Sequence, residues 1–415
     1  MGGGEHQERL VDRVYRVVSD LGADEISSFY DKHPYPPPVA DLTDAGGVAD
    51  SSHRRIEHHR MWPTIPFRED YRILIAGCGT AQAARWALHY PAARVVGIDV
   101  SSVAIEEHRR LARQHGIDNL DLQRLPLERA GDLGEPFDLV VCTGVLHHLA
   151  DPVRGLTALN EVLDPAGAIQ LMVYATYGRT GASMMREYGR RLSLGSPDEE
   201  LRDLVDSLRE LPLDHALRNL LRTRDFGDDD AVADALLNPR ERSYTVPELL
   251  ELVDASNLRF SRWVRQAPYL PHCGLFTDIP HGPRIAALEE RDQYAAVELF
   301  RGSITRHSAI LHRVDSFALH WDDAVAAEYV PVRAATAIVV EERLPDGAAA
   351  ALLNTAHAHT DLVMFVDEHE RALFDAIDGQ RAIGDLSEDP DLRFFQTLWW
   401  HDFVVVDASR HSAFE

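Results

Sequence analysis

Between Tyr71 and Tyr174, short apolar runs alternate with helix-forming stretches, and this alternation constrains the fold more than any other feature of the chain. The apolar runs lie at Ile73–Ala76, Arg94–Val100, Leu120–Leu122, Phe137–Val141 and Ile169–Tyr174. Runs this short suit strands, whereas the intervening stretches of roughly ten residues suit helices. Strands and helices in alternation predict βαβ units, and therefore a parallel sheet with helices packed on its faces.

The same rhythm continues after Tyr174 with two interruptions. Residues 178–240 are rich in charge and predict a helical insertion, and residues 265–302 form a second insertion. A helix over Tyr244–Ser256 and strands over Leu258–Val264 and Ser308–Val314 complete the pattern. We therefore predict an α/β domain over residues 61–317, with a seven-stranded sheet and helical insertions.

Residues 1–60 are expected to form a helical cap and a proline-rich lid. Apolar residues recur at helical spacing up to Tyr30, and four prolines then follow within residues 34–38. Prolines at this density enforce an extended backbone, so the helix must end before them. Residues 39–52 are polar and predict a linker.

Residues 318–415 predict a separate C-terminal unit. Strand-like runs lie within Val330–Glu342, at Asp361–Val366 and at Phe403–Val406. Helices are predicted over Glu368–Ile377, after Ile383 and over Leu392–Trp400. This mixture predicts a small α+β domain of winged-helix-like type.

The charge balance argues against one broad class of partner. The chain has 42 Lys and Arg against 67 Asp and Glu, which gives a formal net charge of −25. A surface of this kind repels polyanions, so nucleic-acid binding is not expected. The sequence contains no run of about 18 uncharged apolar residues, so no membrane span is expected either.

The cysteines and residues 1–9 provide the evidence on the cellular compartment. Three cysteines, Cys78, Cys142 and Cys273, are too few for a disulfide framework, which indicates a reducing compartment. Residues 1–9 lack the apolar core of a secretory signal peptide. We therefore expect a cytoplasmic protein.

A glycine-rich turn, Gly77-Cys78-Gly79, stands between the first predicted strand and the helix that follows it. Glycines there allow the backbone to approach a ligand closely, and the helix N-terminus offers free N–H groups to a carboxylate. Asp99, at the end of the second strand, follows Gly77 by 22 positions. A carboxylate at that spacing is suited to accept hydrogen bonds from both hydroxyls of a ribose.

Gln82 occupies the third glycine position of a dinucleotide-binding turn. A bound pyrophosphate requires a close helix–strand approach at this position, whereas S-adenosylmethionine carries no phosphate. The substitution therefore favours a methyl donor over NAD. A turn that uses glycine for its geometry alone is the alternative.

The segment Phe137–Pro152 adds a strand followed by Leu146-His147-His148, and Leu163-Asp164-Pro165-Ala166-Gly167 precedes the next strand. With the glycine-rich turn and Asp99, these segments resemble the class I S-adenosylmethionine-dependent methyltransferases over about Tyr71–Tyr174. The resemblance implies a Rossmann-like seven-stranded sheet, S-adenosylmethionine as cofactor and S-adenosylhomocysteine as product.

The resemblance also implies a set of cofactor-binding residues. The methionine portion would be lined by Ala76, Gly77, Cys78, Gly79 and Gln82, and the ribose would be held by Asp99. The adenine would be surrounded by Val100, Ser101, Leu125 and Leu127. Below the sulfonium would lie Cys142, Thr143 and Gly144. The family often has an acidic residue near the adenine amine, where this chain has Arg124-Leu125-Pro126-Leu127. A backbone contact is therefore expected there.

The acceptor side depends on weaker signals. His147 is a candidate for acceptor contact or for a general base, and Tyr30 and His33 of the lid are further catalytic candidates. His148 is a candidate either for acceptor contact or for packing against the next helix. Candidate acceptor-binding residues are Tyr35, His148, Tyr174, Tyr177, Arg186 and Tyr244.

His53, His58 and His59 lie close together, but no neighbouring cysteine or carboxylate pair completes a ligand set, so no metal site is predicted. The segment Arg371–Leu386 resembles the helix–turn–helix of PqqD-like domains, some of which bind leader peptides. Packing or homodimer formation is the alternative for this C-terminal domain.

We therefore expect methyl transfer from S-adenosylmethionine to an N or O nucleophile of a small molecule. A peptide or protein methyltransferase that uses the C-terminal domain for docking is one alternative. A non-catalytic scaffold that binds S-adenosylmethionine is the other.

Overall fold

The computed structural model describes residues 23–43, 51–195, 198–223, 226–238, 240–314, 317–388 and 390–410. The part of the predicted helical cap that precedes Ala23 lies outside these residues, as does part of the predicted linker.

The central element is a seven-stranded sheet. Its strands are β1 (Arg72–Ala76), β2 (Arg94–Asp99), β3 (Leu120–Arg124), β4 (Phe137–Thr143), β5 (Leu163–Tyr174), β6 (Arg259–Trp263) and β7 (Arg306–His312). They are arranged in the order β3-β2-β1-β4-β5-β7-β6. Strands β1 to β5 are parallel, whereas β7 runs antiparallel to both of its neighbours. The predicted Rossmann-like α/β fold is confirmed.

The parallel strands are connected by α3 (Gln82–His89), α4 (Ser102–His115) and α5 (Pro152–Glu161). Helix α4 begins where the Ser101 hydroxyl accepts a hydrogen bond from the Ala104 N–H, and it ends at Gly116 in the left-handed conformation. Side chains of β1 from Ile73 to Ile75 are fully buried, because helices cover both faces of the sheet.

The first insertion has a core of its own. Its helices are α6 (Thr180–Arg191), α7 (Asp198–Arg209) and α8 (Asp229–Leu237). They pack through buried apolar residues such as Leu204, Leu217 and Val232, and Phe29 packs against the same cluster. The sheet domain resumes with α9 (Val246–Ala255), which starts with a reciprocal capping box between Thr245 and Glu248.

The second insertion contains α10 (Gly282–Ala286) and α11 (Glu290–Arg301). Before β1 lie α1 (Ala23–Lys32), the proline-rich segment, and α2 (Ser51–Met61). Helix α2 begins within the residues predicted as a linker. Its buried face contains His58 and His59 beside Ile56 and Met61, so the apolar periodicity that would have predicted this helix is weak.

The C-terminal part contains α12 (Asp323–Ala326), α13 (Glu368–Ala376) and α14 (Leu392–Trp400). Strands β9 (Ala337–Val340), β10 (Ala350–Asn354) and β11 (Val363–Val366) form an antiparallel sheet, and β8 (Val330–Arg333) pairs with β12 (Val404–Asp407). The small α+β character agrees with the sequence, although β10 was not predicted. The winged-helix likeness stays a prediction.

Three carboxylates of the C-terminal part pair with groups of the rest of the molecule, beside an apolar contact of Ile56 with Val332 and Val405. Asp407 pairs with Arg55 of α2 at 2.9 Å, and Asp361 accepts two hydrogen bonds from Arg301 of α11 at 2.9 and 3.0 Å. Asp402 accepts from the backbone N–H groups of Gln266 and Ala267 at 2.8 and 3.1 Å. Among the described helices, none is long and apolar enough to cross a membrane.

Candidate active site

A cavity of about 880 Å³ opens at the carboxyl ends of β1, β2 and β4. Open α/β sheets bind ligands at this edge, because the loops that follow the parallel strands meet there. The volume lies in the upper part of the range of roughly 300–1,000 Å³ that is typical of small-molecule sites.

The glycine-rich turn lies at the centre of the cavity wall. Gly77 and Gly79 have φ values of +71° and +55°, which favour glycine. The backbone N–H groups of Gly77 and Cys78 both donate to the Ile98 carbonyl, at 2.9 and 3.0 Å. A β-carbon at Gly77 would overlap the Val145 side chain, so only glycine fits there without moving Val145.

Asp99 lies beside this turn at the end of β2. Its carboxylate accepts hydrogen bonds from the N–H groups of Gly79, at 2.8 Å, and Ser101, at 2.9 Å. Burial raises the pKa of Asp99, and these backbone donors oppose that shift. The arrangement holds a carboxylate in a fixed orientation at the cavity, where it can accept from ribose hydroxyls.

The predicted cofactor-binding residues divide into two groups by their position relative to the cavity. The first group lines the cavity and consists of Gly77, Cys78, Gly79, Gln82, Asp99, Val100, Ser101, Leu125, Leu127, Thr143 and Gly144. Ala76 and Cys142 do not, because both side chains are fully buried within the sheet. Gln82 donates to the Thr143 hydroxyl at 2.7 Å and thereby joins the glycine-rich turn to the end of β4.

The proline-rich segment crosses the cavity mouth at the glycine-rich turn. The Thr80 hydroxyl donates to the Pro36 carbonyl at 2.6 Å. A β-carbon at Gly79 would lie 2.9 Å from Pro36 Cδ and 3.1 Å from the Tyr35 carbonyl oxygen, so the segment sits directly on the turn. Tyr35 itself lines the cavity.

Helix α1 is attached to the sheet by Asp31. Its carboxylate accepts from the hydroxyls of Ser101, at 2.7 Å, and Ser102, at 3.2 Å, and from the Val103 N–H at 3.3 Å. These donors lie at the start of α4, where free N–H groups and the helix dipole favour a negative charge. Asp31 therefore connects the lid with the loop that carries Asp99.

Tyr30 and His148 both line the cavity and share a buried carboxylate, Asp234 of α8. The Tyr30 hydroxyl donates to Asp234 Oδ1 at 3.0 Å, and His148 Nε2 lies 4.0 Å from the same oxygen. Asn238 Nδ2 lies 3.2 Å from it as well. Burial, and then Asp234, raise the pKa of Tyr30 well above its usual value, so its hydroxyl stays protonated.

His148 has a defined tautomer in this arrangement. Its Nδ1 lies 2.8 Å from the Arg240 carbonyl, which can only accept, so Nδ1 carries the proton. Nε2 is then the basic nitrogen of the neutral ring, and Asp234 is placed to stabilise the imidazolium that would form. This geometry is suited to a general base.

His147 occupies a different environment. Its ring is fully buried outside the cavity lining, with its centroid 4.1 Å from that of Tyr174. Neither ring nitrogen has a hydrogen-bond partner among the described residues. Burial, and then the neighbouring His148, lower the pKa of His147. The acceptor contact predicted for His147 does not match this placement, because the ring packs behind Tyr174.

Of the other predicted residues, Tyr174 lines the cavity beside Arg306, Gln170 and Met172. Four other predicted residues lie outside the lining of the cavity: His33, Tyr177, Arg186 and Tyr244. His33 is buried with Nδ1 2.9 Å from Asp230, and Tyr177 lies in an exposed 3₁₀ turn. Arg186 pairs with Glu241 at 3.1 Å, and Tyr244 is buried beneath the Arg242 guanidinium.

Sequence reasoning missed Asp234, Arg306 and the cavity face of α3, including Arg85 and Trp86. Asp234 belongs to an insertion with no motif of its own, so only the fold brings it to His148. The spacing of Gln82, Arg85, Trp86 and His89 places them on one helical face, which was an available but unspecific signal. In the part of the chain that the structure describes, no three His, Cys, Asp or Glu side chains are grouped to hold a metal ion.

Residues 74–169 match a family model described as "Methyltransferase domain". A ubiquinone biosynthesis O-methyltransferase from Cereibacter sphaeroides is 37% identical over 123 residues, which is 29% of this chain and 46% of that protein. The chain thus spans about half the length of this curated relative. An uncharacterized protein from Synechococcus is 28% identical over 318 residues, which is 74% of this chain and 76% of that protein.

Residues 74–169 therefore form a methyltransferase domain. The fold agrees with PKMT2 from Rickettsia typhi, solved in complex with AdoHcy, with a TM-score of 0.61 and 15% identity over 90% of this chain and 77% of that chain. The predicted enzyme class and the predicted cofactor, S-adenosylmethionine, are confirmed. The glycine-rich turn and Asp99 of this methyltransferase fit the cofactor, since both line one cavity and the Gly79 N–H holds the Asp99 carboxylate beside the turn.

Proposed function

We propose that this methyltransferase transfers a methyl group to an O or N nucleophile of a small molecule. The observation that carries the proposal is that one cavity contains both the donor-binding turn and His148 beneath a lid formed by α1 and the proline-rich segment. A cavity that such a lid covers in part suits a compact acceptor and limits the access of water to the reaction.

S-adenosylmethionine, when bound, supplies a methyl group already activated on a sulfonium. The protein therefore has to align the acceptor and remove its proton. We assign proton removal to His148 Nε2, with Asp234 stabilising the resulting imidazolium at 4.0 Å. Tyr30 holds Asp234 in place through its hydroxyl, and Tyr174 and Arg306 border the space left for the acceptor.

Two observations support a small acceptor over a docked peptide. The residues that line the cavity extend along the chain from Tyr30 to Arg306, and among the described residues none of them belongs to the C-terminal part. That part contacts α2 and the second insertion through Asp407, Asp361 and Asp402. The relatives named as O-methyltransferases make oxygen nucleophiles the first acceptors to test.

The test is a screen for S-adenosylhomocysteine release with the full chain, against a panel of hydroxylated and aminated metabolites and a panel of peptides. We expect turnover with members of the metabolite panel, and loss of turnover on His148→Ala with unchanged binding of S-adenosylhomocysteine. Turnover confined to peptides would contradict the proposal and favour a docking role for the C-terminal domain. Donor binding without turnover on any acceptor would favour a scaffold.

A further inference from the structure

The cavity has an arm that runs down one face of β5, away from the glycine-rich turn. Tyr174, Met172 and Gln170 stand at alternate positions of this strand, and all three line the cavity. Alternate side chains of a strand share a face, so the arm follows about 13 Å of β5 at roughly 3.3 Å per residue. Leu171 and Val173, between them, are fully buried on the opposite face.

An opening at this place is unusual, because β5 is an inner strand of the sheet. It pairs with β4 and β7, and helices normally cover both faces of such a strand. Gln170 pairs with Val141 on one side and Ile310 on the other, and both of these partners are buried. Gln170 itself is only partly buried, and its amide makes no hydrogen bond with the described residues. The amide is therefore available to a ligand.

Helices α2 and α3 cover this face of the sheet and provide the opposite wall of the arm. Met61 of α2 and Ala87 of α3 pack in one apolar cluster with Val141. Trp86 and Tyr90, at the end of α3, line the cavity with their rings stacked at a centroid distance of 5.0 Å. The arm thus has a strand as its floor and an aromatic pair on its wall.

The charges in this wall offset one another. Arg85 and Glu57 carry opposite charges and both line the cavity. His89 lines it as well, and burial lowers the pKa of His89, which favours the neutral ring. The arm therefore suits an uncharged group better than an ion.

The upper end of the arm meets the space assigned to the acceptor. Tyr174 borders that space, with its ring centroid 6.4 Å from the centroid of His148. Met172 pairs with Thr143, and a β-carbon at Gly144 would lie 3.8 Å from Met172 Cε. A ligand with its nucleophile at His148 can therefore extend past Met172 toward the lower end of the arm.

We propose that the arm binds the part of the acceptor that lies beyond its nucleophile, and that this part is an uncharged aromatic group with a hydrogen-bonding end. The inference rests on the proposed function, because it names the class of acceptor for the same site. The Met172 thioether and the Trp86 ring both suit contact with an aromatic ring. The Gln170 amide can donate to and accept from a neutral polar end such as a carboxamide.

The test is calorimetry with the full chain saturated with S-adenosylhomocysteine, using phenol, 4-phenylphenol and 4′-hydroxybiphenyl-4-carboxamide as probes. We expect 4-phenylphenol to bind at least about tenfold more tightly than phenol, because its second ring enters the arm. The carboxamide should bind a further 3- to 10-fold more tightly, roughly the effect of one hydrogen bond. Trp86→Leu should reduce the advantage of 4-phenylphenol over phenol, whereas Gln170→Leu should remove only the advantage of the carboxamide.

Gln123→Leu is the matched control, because Gln123 is exposed on the edge strand β3 of the same sheet. Thermal unfolding of each variant shows whether it is folded. Saturation with S-adenosylhomocysteine separates the arm from the donor site, since a probe that this product displaces would occupy the place of the donor.

The proposal is overturned if 4-phenylphenol binds no more tightly than phenol, if neither binds, or if S-adenosylhomocysteine displaces the probes. It is also overturned if Gln170→Leu leaves the preference for the carboxamide unchanged. All of these measurements report binding, so absence of methyl transfer would overturn the proposed function and leave the arm standing. Turnover of an acceptor together with one of the contrary binding results would overturn the arm alone.

Discussion

Asp99 connects the glycine-rich turn with the end of β2, because Gly79 and Ser101 both donate to its carboxylate. In the ligand-bound enzyme the same carboxylate is expected to accept from the ribose hydroxyls. Asp99→Ala should therefore weaken S-adenosylhomocysteine binding by about 2–3 kcal/mol, measured by calorimetry. Asp121→Ala is the control, since Asp121 lies on the neighbouring strand β3 and pairs with Arg94 at the surface. Equal affinities for the two variants would remove Asp99 from the site.

His147 and His148 offer a matched pair at adjacent positions. His148→Ala should lower kcat by roughly 10²–10⁴-fold, as expected for loss of a general base, with little change in donor affinity. His147→Phe should lower kcat far less, because the ring packs against Tyr174 outside the cavity. The measurement is steady-state kinetics with the acceptor found in the metabolite screen, and a larger loss for His147→Phe would reverse the assignment.

At the residue scale the structure brings most residues predicted for the donor side to one cavity, whereas several of those predicted for the acceptor side lie outside its lining. The glycines and Asp99 stand at strand ends, where chain direction alone decides which way they face. His147 and His148 lie in a 3₁₀ turn, and a difference of one residue decides which ring enters the cavity. Asp234 reaches His148 only through the folding of the insertion, which carries no motif to mark it.

At the scale of elements, the lid that we predict at α1 is attached to the start of α4 by Asp31. Asp31→Ala removes the acceptor for the Ser101 and Ser102 hydroxyls and for the Val103 N–H. We expect a loss of about 1 kcal/mol in lid attachment, seen as faster hydrogen exchange in residues 23–43 and weaker donor binding. Asp121→Ala again serves as the control, and unchanged exchange in the lid would contradict the assignment.

Elements with clear periodicity were predicted within a few residues, as with α14 and β4. Helix α2 was missed because buried histidines replace the apolar residues of its inner face. Strand β10, which is Ala-rich at its start, lacks the β-branched residues typical of strands and is held by pairing with β9 and β11. Helix α2 and strand β10 therefore depend on contacts with the rest of the fold more than on their local sequence.

At the scale of the whole molecule, docking of the C-terminal part depends on Asp361. The Arg301 side chain is only 3% exposed and is neutralised by this carboxylate. Asp361→Ala leaves that guanidinium buried without its partner, so we expect the free energy of unfolding to fall by about 3 kcal/mol. Chemical denaturation measures the change, and Asp346→Ala, at an exposed turn, is the control. Donor affinity should be unchanged, since Asp361 lies outside the cavity lining.

Buried histidines make the stability of the molecule depend on pH. Burial lowers the pKa of His312 in β7 to about 4, whereas in the unfolded chain it is about 6.5. Between these values the unfolded chain binds the extra proton, so stability is complete above pH ~6.5 and falls as the pH drops toward 4, by up to about 1.4 kcal/mol per unit.

His312→Leu should remove this share of the slope in denaturation experiments between pH ~7 and ~4. The exposed His281 provides the control variant, His281→Leu, which should keep the slope of the unmodified protein. A slope that is identical in all three proteins would show that His312 does not contribute to the acid sensitivity.

The most direct test of the account is a calorimetric titration of the full chain with S-adenosylhomocysteine and, separately, with NAD. Because Gln82 stands where a dinucleotide-binding turn has the glycine that a pyrophosphate needs, we expect saturable binding of S-adenosylhomocysteine and none of NAD. Tight binding of NAD together with no binding of S-adenosylhomocysteine would contradict the account.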